Sequence, residues 1–230
     1  MKIDKIQALR GPNIWSVQRK KLIQMRLDLE EMEQFPTNKI EGFRERIEAM
    51  FPTMIEHRCS EGVPGGFFSR IERGTWMGHV IEHIALEIQT LAGMETGFGR
   101  TRETKTPGVY NVVFSYTEEN VGMFAAESAV AIAEALIAGI PYDLEADIQK
   151  MREIRERVRL GPSTGSIVEE AVSRDIPWIR LQGGAEDRTS VRLDQDGEGS
   201  AGVVATGVLQ ALRNRPAANR YDGKLAQSRV

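Results

Sequence analysis

The chain has 230 residues, of which 41% are hydrophobic and 27% charged, an ordinary globular composition with enough length for one or two domains. Its formal net charge of −3 argues against a general nucleic-acid-binding protein, which would be markedly basic. A single cysteine excludes an internal disulfide, no apolar run approaches the roughly 20 residues that cross a bilayer, and no signal segment is recognised, so we expect a soluble cytoplasmic protein with no membrane partner.

The N-terminal third of the chain mixes predicted strands and helices. KLIQMRLDL, residues 21–29, alternates apolar and polar side chains, a period of two that predicts a half-buried strand. Residues 2–9 are expected to form another strand. Thr37 or Asn38 can cap a helix that runs to about Met50.

The middle of the chain contains the longest predicted helices. Residues 51–68 include the turn signal PGG and are expected to form a loop, followed by a helix over 69–92. The polar segment 98–108 is interpreted as a connection between elements. GVYNVVFSY, residues 108–116, alternates like the earlier strand and predicts a second one. The helices predicted after it cover residues 118–138 and 143–159.

A new unit is predicted to begin near residue 160, where the dipeptide GP interrupts the helical pattern. Ser163 or Thr164 can cap a helix there, and IPWIRL, residues 176–181, predicts a strand. A helix-like segment is expected near 203–213.

We therefore predict an α+β fold. A small sheet with packed helices is expected over residues 1–160. A short α/β remnant is expected over residues 161–230, ending in a divergent and partly disordered tail.

Two of the three histidines lie in the sequence HVIEH, four residues apart, with a glutamate just before the second. On a helix at about 100° per residue, His79, Glu82 and His83 fall on the face opposite the apolar stripe. The order His-x-x-Glu-His is a metallopeptidase signature, in which a metal lowers the pKa of water and the glutamate removes a proton. The motif predicts a zinc site with His79 and His83 as ligands and Glu82 as general base. A solvated helix face with incidental histidines is the alternative.

A third protein ligand is required for such a site. The helix predicted after the second strand offers four candidates, Glu118, Glu119, Glu127 and Glu134. We predict Glu119, near the start of that helix, ahead of Glu127. His57 is less favoured because it lies in a predicted loop.

Arginines in the segment 98–108 form a second candidate site. Arg100 and Arg102 can bind the carboxylates of an acidic ligand and are the predicted substrate-binding residues. A surface loop with local ion pairs explains the same residues equally well.

Long stretches of the chain resemble the N-terminal part of the cyanophycin synthetase family. They are KIQALRGPNIWSVQRKKLIQMRLDLEE, GTWMGHVIEHIALEIQTLAGMETGFGRTRETKTPGVYNVVFSY and LGPSTGSIVEEAVSRDIPW. Members of that family use ATP to make a polymer with a poly-aspartate backbone and arginine side chains. They combine an N-terminal domain with an ATP-grasp ligase domain and a Mur-ligase-like domain.

The resemblance implies that this region holds the growing polymer near the ligase sites. In some members it also carries a metallopeptidase-like site at the positions of His79, Glu82 and His83, where chains are clipped to create primers. The resemblance ends after IPW, before any glycine-rich ATP-grasp lid or Mur-ligase phosphate loop. We therefore expect no ATP site and no ligase activity from this chain alone.

Three functions are consistent with these observations. They are a polymer-binding domain, a zinc-dependent hydrolase that clips cyanophycin, and an inactive synthetase fragment. The expected partners are cyanophycin and either a second copy of the chain or a separate ligase subunit, with no nucleic acid.

Overall fold

A computed structural model describes residues 1–17, 21–158, 160–174, 176, 178–181, 190–195 and 200–204. The chain divides into two compact units, Met1–Arg157 and a second that begins at Val158. The first unit contains a small antiparallel sheet with helices packed on it, which confirms the predicted α+β class.

The sheet of the first unit has four strands. They are β1 (Lys2–Leu9), β2 (Leu22–Asp28), β3 (Gly99–Glu103) and β4 (Val109–Ser115). Their order is β1-β2-β4-β3, and every neighbouring pair is antiparallel. The strands predicted over residues 2–9, 21–29 and 108–116 are confirmed as β1, β2 and β4.

Alternation along the central strands gives the sheet one apolar face and one polar face. Ile23 and Met25 of β2 and Val112 of β4 have no exposed surface. On the opposite face, Gln24 Nε2 donates a hydrogen bond to Asn111 Oδ1 at 3.1 Å. The alternation of apolar and polar residues in the sequence therefore corresponds to side chains that face the core and side chains that face away from it.

Five helices complete the core of the first unit, and the third and fourth of them cover the apolar face of the sheet. They are α1 (Phe43–Met50), α2 (Gly66–Arg73), α3 (Met77–Leu91), α4 (Glu119–Ala138) and α5 (Leu144–Val158). α3 packs on β3 and β4, α4 packs on β1 and β2, and the two helices pack on each other. The helices predicted over 118–138 and 143–159 are confirmed as α4 and α5.

α4 is long and apolar enough to cross a membrane by length and composition alone, which corrects the expectation that no segment approaches that size. Most of this helix is buried against the sheet and α3. The core helix of a water-soluble protein meets the same criteria, so α4 is weak support for a membrane span.

The single helix predicted over 69–92 is wrong, because two helices occupy this region. Gly74 follows α2 with a φ of +103°, a conformation that side-chain-bearing residues rarely adopt. The link to α3 is fixed by Thr37, whose backbone N–H donates to the Thr75 carbonyl at 2.9 Å and whose Oγ1 accepts from Thr75 N–H at 2.9 Å. The helix predicted from Thr37 or Asn38 is likewise two pieces, a 3₁₀ turn at Thr37–Lys39 and α1.

Two segments interpreted as irregular contain regular structure. Residues 98–108 include β3, an edge strand whose charged residues concealed its period of two. Residues 51–68 contain 3₁₀ turns at Pro52–Glu56 and Cys59–Glu61. Met54 in the first turn is fully buried, so this segment is part of the core.

The second unit contains one described helix and a three-stranded antiparallel sheet of order β5-β6-β7. These elements are α6 (Pro162–Ser173), β5 (Trp178–Leu181), β6 (Ser190–Gln195) and β7 (Ser200–Val204). The predicted helix near 163 and strand at 176–181 are confirmed as α6 and β5. Residues 203–204 of the segment predicted as a helix belong to β7; residues 205–213, and the tail to 230, lie outside the described residues.

Close packing of α4 on β2 generates a stability prediction at Gly122. A Cβ at this position would lie 2.8 Å from Tyr116 Cβ and 2.9 Å from Ile23 Cγ1, closer than real Cβ contacts. We expect Gly122→Ala to destabilise the protein by about 1–3 kcal/mol through overpacking, although helix propensity alone would stabilise it by about 1 kcal/mol.

Urea unfolding followed by circular dichroism measures this difference. Ala131→Gly on the exposed face of α4 calibrates helix propensity without a packing change and should cost about 1 kcal/mol. A Gly122→Ala variant more stable than the parent would show that α4 does not approach β2 this closely.

Candidate functional site

α3 is enclosed by protein along most of its length. Residues 80–89 are all buried, and the side chains of Glu82 and His83 are only 6% and 8% exposed. His79, Glu82 and His83 line a cavity of about 690 Å³ that is also bordered by Cys59 and by residues of β3. Glu82 and His83 therefore do not lie on a solvated helix face, which corrects that part of the alternative.

The two histidines of the HVIEH motif meet a cysteine in this cavity. Cys59 Sγ lies 3.2 Å from His79 Nε2, and one ligand-type atom from each of Cys59, His79 and His83 falls within 4.8 Å of the others. Atoms bound to one tetrahedral zinc lie about 3–4 Å apart, given bonds of about 2.0–2.3 Å. One thiolate and two imidazoles form a donor set that suits zinc, so these residues fit the ion that the sequence predicts.

The structure does not bring Glu119, the predicted third ligand, to the histidines. Both oxygens of its carboxylate accept hydrogen bonds from the Arg10 guanidinium, and the Tyr116 hydroxyl donates to it at 3.3 Å. Hydrogen bonding by Arg10 lowers the pKa of Glu119, as expected for a carboxylate in an ion pair. Among the described residues, Cys59 supplies the third ligand-type atom instead.

The other candidates for a third ligand also lie in different surroundings. Glu134 forms an ion pair with the N-terminal amine at 2.9 Å, and Glu127 is exposed. Glu118 occupies the N-cap position of α4 without a capping hydrogen bond from its side chain. His57, which was the least favoured, is in direct contact with the site, because its Nδ1 lies 2.9 Å from His83 Nδ1.

Cys59 reaches the site because the segment after α1 turns back across α3. It begins a 3₁₀ turn and has a φ of +50°, an uncommon conformation for a residue other than glycine. Sequence reasoning missed Cys59 because its segment had no periodicity. One signal was available, since every histidine and the only cysteine of the chain belong to this one cluster.

Burial makes the imidazoles of the site poor bases. Desolvation, with a smaller contribution from Arg70, lowers the pKa of His79 to about 4. Desolvation, with the neighbouring His79, also lowers the pKa of His83 well below its ordinary value. The Phe67 ring, 4.5 Å from the His83 ring between centroids, supplies part of the apolar wall. Neutral imidazoles keep a lone pair, which metal ligation requires.

Glu82 is held beside the histidines by β3. Thr101 Oγ1 donates a hydrogen bond of 2.7 Å to Glu82 Oε2, and a Cβ at Gly99 would overlap the Glu82 carboxylate. Burial raises the pKa of Glu82 to about 7, against the lowering effect of the Thr101 hydrogen bond. A carboxyl group that titrates near neutral pH is suited to accept and return a proton.

The predicted substrate-binding arginines lie on the same strand as Thr101. Arg100 and Arg102 are exposed and contribute to the wall of the cavity. The Arg100 guanidinium donates a hydrogen bond to the backbone carbonyl of Trp15 at 3.3 Å, and the Arg102 guanidinium donates one to the backbone carbonyl of Thr101 at 3.4 Å. Both guanidinium groups therefore keep donors that face solvent beside the cavity.

Comparison with known proteins finds one family model, described as the cyanophycin synthase-like N-terminal domain, which matches residues 24–138. The chain is 51% identical over 184 residues to the cyanophycin synthetase of Geminocystis herdmanii, a match that covers 79% of this chain and 21% of the relative. It is 50% identical to that of Synechocystis sp. and 48% identical to that of Crocosphaera subtropica, with the same coverage. The chain thus spans about a fifth of the length of these curated relatives.

The raised pKa of Glu82 predicts a pH-dependent stability of the metal-free protein. The carboxyl is stabilised in its protonated form by folding, so its contribution is complete below the ordinary pKa of about 4.5 and is lost as the pH rises through about 7. The side chain in the Glu82→Gln variant is uncharged at every pH, so this variant does not lose that stability as the pH rises. We expect the variant to gain up to about 3 kcal/mol over wild type between about pH 5 and pH 8.

Urea unfolding in chelator at both pH values measures this difference. Other titrating groups, including His79, are present in both proteins and cancel in the comparison. A difference between the two proteins that stays constant with pH would contradict the assignment.

Proposed function

The chain belongs to the family of cyanophycin synthase-like N-terminal domains, and from this membership we propose that it binds cyanophycin, the arginine- and aspartate-containing polymer. Its relatives of about 50% identity are named cyanophycin synthetases. The match to those relatives covers only their N-terminal part, which the resemblance associates with holding the polymer. The proposal therefore concerns polymer recognition rather than ATP-dependent synthesis.

Charges of both signs around one cavity support this proposal. The polymer is zwitterionic, so a complementary surface needs cations for its carboxylates and acceptors or aromatic faces for its guanidinium groups. Arg100 and Arg102 offer the cations. Trp76, whose side chain is 42% exposed, and Glu56 border the same cavity and offer partners for guanidinium.

Sedimentation with insoluble cyanophycin at low and moderate salt tests polymer binding. Replacing Arg100 and Arg102 together by Gln should weaken binding roughly three- to tenfold, since each exposed charge pair contributes up to about 1 kcal/mol. The matched control replaces Lys150 and Arg157, exposed residues of α5, by Gln and removes the same charge. Wild-type protein that stays wholly in the supernatant at both salt concentrations would refute polymer binding.

We propose a second function at the same cavity, hydrolysis of amide bonds in the polymer. The observation that carries it is the convergence of Cys59, His79 and His83 beside Glu82. Neither a polymer-binding surface nor an inactive fragment requires a thiol, two neutral imidazoles and a carboxyl of raised pKa in one cavity.

The residues would divide the reaction as follows. Cys59, His79 and His83 would hold zinc, which when bound polarises a carbonyl and acidifies water. Glu82, held by Thr101, accepts a proton from the attacking water as the water oxygen bonds to the amide carbon. When the carbon–nitrogen bond breaks, Glu82 returns that proton to the leaving amine. Water is consumed, and one carboxylic acid and one amine are formed.

Zinc content and polymer cleavage in four variants test this hydrolase. Glu82→Gln should retain zinc and lose at least about a hundredfold in cleavage rate, because the proton acceptor is gone. His79→Ala and Cys59→Ser should lose both. Glu119→Gln serves as the control and should retain both, since Glu119 pairs with Arg10.

Two outcomes would contradict the mechanism. Cleavage by Glu82→Gln at the wild-type rate would remove the general base. Loss of zinc from Glu119→Gln together with its retention by Cys59→Ser would restore Glu119 as the ligand. Cytoplasmic location, the lack of an ATP site and of ligase activity, and a second copy or separate ligase subunit as partner remain predictions.

A further inference from the structure

We propose that Glu87 and His57 form a relay that fixes the tautomer of His83 and directs its Nε2 lone pair into the cavity. The relay is a positioning device, since neither Glu87 nor His57 belongs to the group of three ligand-type residues. Its consequence for metal affinity rests on the zinc site proposed above. Its consequence for the tautomer stands without that site.

The relay is a continuous line of three contacts. Glu87 lies one helical turn after His83 on α3 and is 3% exposed. Its Oε1 accepts a hydrogen bond from Thr53 Oγ1, and its Oε2 lies 2.7 Å from His57 Nε2. His57 Nδ1 lies in turn 2.9 Å from His83 Nδ1. Both distances between heavy atoms are those of formed hydrogen bonds.

The chemistry of these groups gives the relay a direction. Hydrogen bonds from His57 and Thr53 outweigh the effect of burial and lower the pKa of Glu87, so this group is a carboxylate, which only accepts. His57 Nε2 must then carry a hydrogen. In a neutral His57 the other nitrogen, Nδ1, is an acceptor, and the contact between the two Nδ1 atoms requires the hydrogen to lie on His83.

His83 is left with its lone pair on Nε2 as a result. A reversed relay would place a hydrogen on His83 Nε2 and remove the lone pair that a metal needs. His79 has a weaker arrangement of the same kind, with its Nδ1 3.3 Å from Thr75 Oγ1 and its Nε2 facing Cys59 Sγ. In both histidines of the motif Nδ1 has a protein partner, which leaves Nε2 as the nitrogen for a metal, and of the two only His83 is linked to an anion, Glu87.

The tautomers can be measured directly, because the chain has only three histidines. Two-bond proton–nitrogen correlation spectra of metal-free, nitrogen-15-labelled protein at about pH 8 distinguish Nδ1–H from Nε2–H imidazoles. This pH lies above the ordinary imidazole pKa of about 6.5. We expect His83 as the Nδ1–H form and His57 as the Nε2–H form. A wild-type His83 protonated on Nε2 would overturn the relay.

Three variants connect the tautomer with metal binding. Glu87→Leu removes the anion, and His57→Phe keeps a ring but removes the link, so each should give His83 a mixture of tautomers. Each should also weaken zinc affinity, measured by competition with a chelator, by about 10- to 100-fold. Thr53→Val is the matched control. It removes the hydrogen bond to Glu87 Oε1 and leaves Glu87 Oε2, the acceptor for His57, in place. It should preserve the His83 tautomer and the affinity.

The two effects separate failure of the relay from failure of the proposed site. A uniform Nδ1–H tautomer of His83 in Glu87→Leu and His57→Phe overturns the relay, as does unchanged zinc affinity in both. If one variant does not fold, the other decides. If wild-type protein binds no zinc, the proposed hydrolase fails, and the tautomers of His83 in wild type and variants alone decide the relay.

Discussion

The enclosure of α3 is the constraint on which the rest of the site depends. Ten consecutive residues of this helix, 80–89, are buried, so its polar groups must find partners within the protein. Three of these groups are Glu82, His83 and Glu87, and each has a protein partner at hydrogen-bond distance. The same desolvation that makes these partners necessary lowers the pKa of His83 and raises the pKa of Glu82 to about 7.

The groups that satisfy α3 come from two segments with weak local signals. The turns at Pro52–Glu56 and Cys59–Glu61 flank His57 and include Cys59, and β3 supplies Thr101. Neither segment follows the patterns that local structure prediction uses. The first consists of short 3₁₀ turns and contains Cys59, a residue with positive φ. The second, β3, is an edge strand rich in charged residues. Such departures are expected where a chain builds a site rather than a regular element.

Local sequence patterns, with alternation at β2 and β4, predicted most of the first unit for a physical reason. β1, β2, β4, α4 and α5 each bury one face against the same core, so their sequences carry the period of that burial. The shared face of the HVIEH motif was predictable for the same reason, since α3 is a regular helix. The break at Gly74 divides one predicted helix into two. It is fixed by hydrogen bonds between Thr75 and Thr37, which lies over thirty residues earlier, so a local sequence pattern cannot predict it.

The third ligand-type residue was not predictable from periodicity, because helical geometry does not say which distant segment returns to a helix. The prediction of Glu119 rests on its place after the second strand, but its carboxylate is an equally good partner for a guanidinium. Arg10, at the end of β1, binds it. A rule based on scarcity rather than pattern would have found Cys59, because a lone thiol and three imidazoles in 230 residues rarely meet without a common role.

β3 connects the two proposed functions through its alternation. Gly99 and Thr101 face Glu82, one by leaving room for the carboxylate and the other by a hydrogen bond. Arg100 and Arg102 alternate with these two residues along the strand, and both are exposed and border the same cavity. A shift of one residue in the pairing of β3 with β4 would exchange these two sets. The register that exposes Arg100 and Arg102 therefore also sets Gly99 and Thr101 against Glu82, so a change in the pairing of β3 would affect the proposed binding and the proposed hydrolysis together.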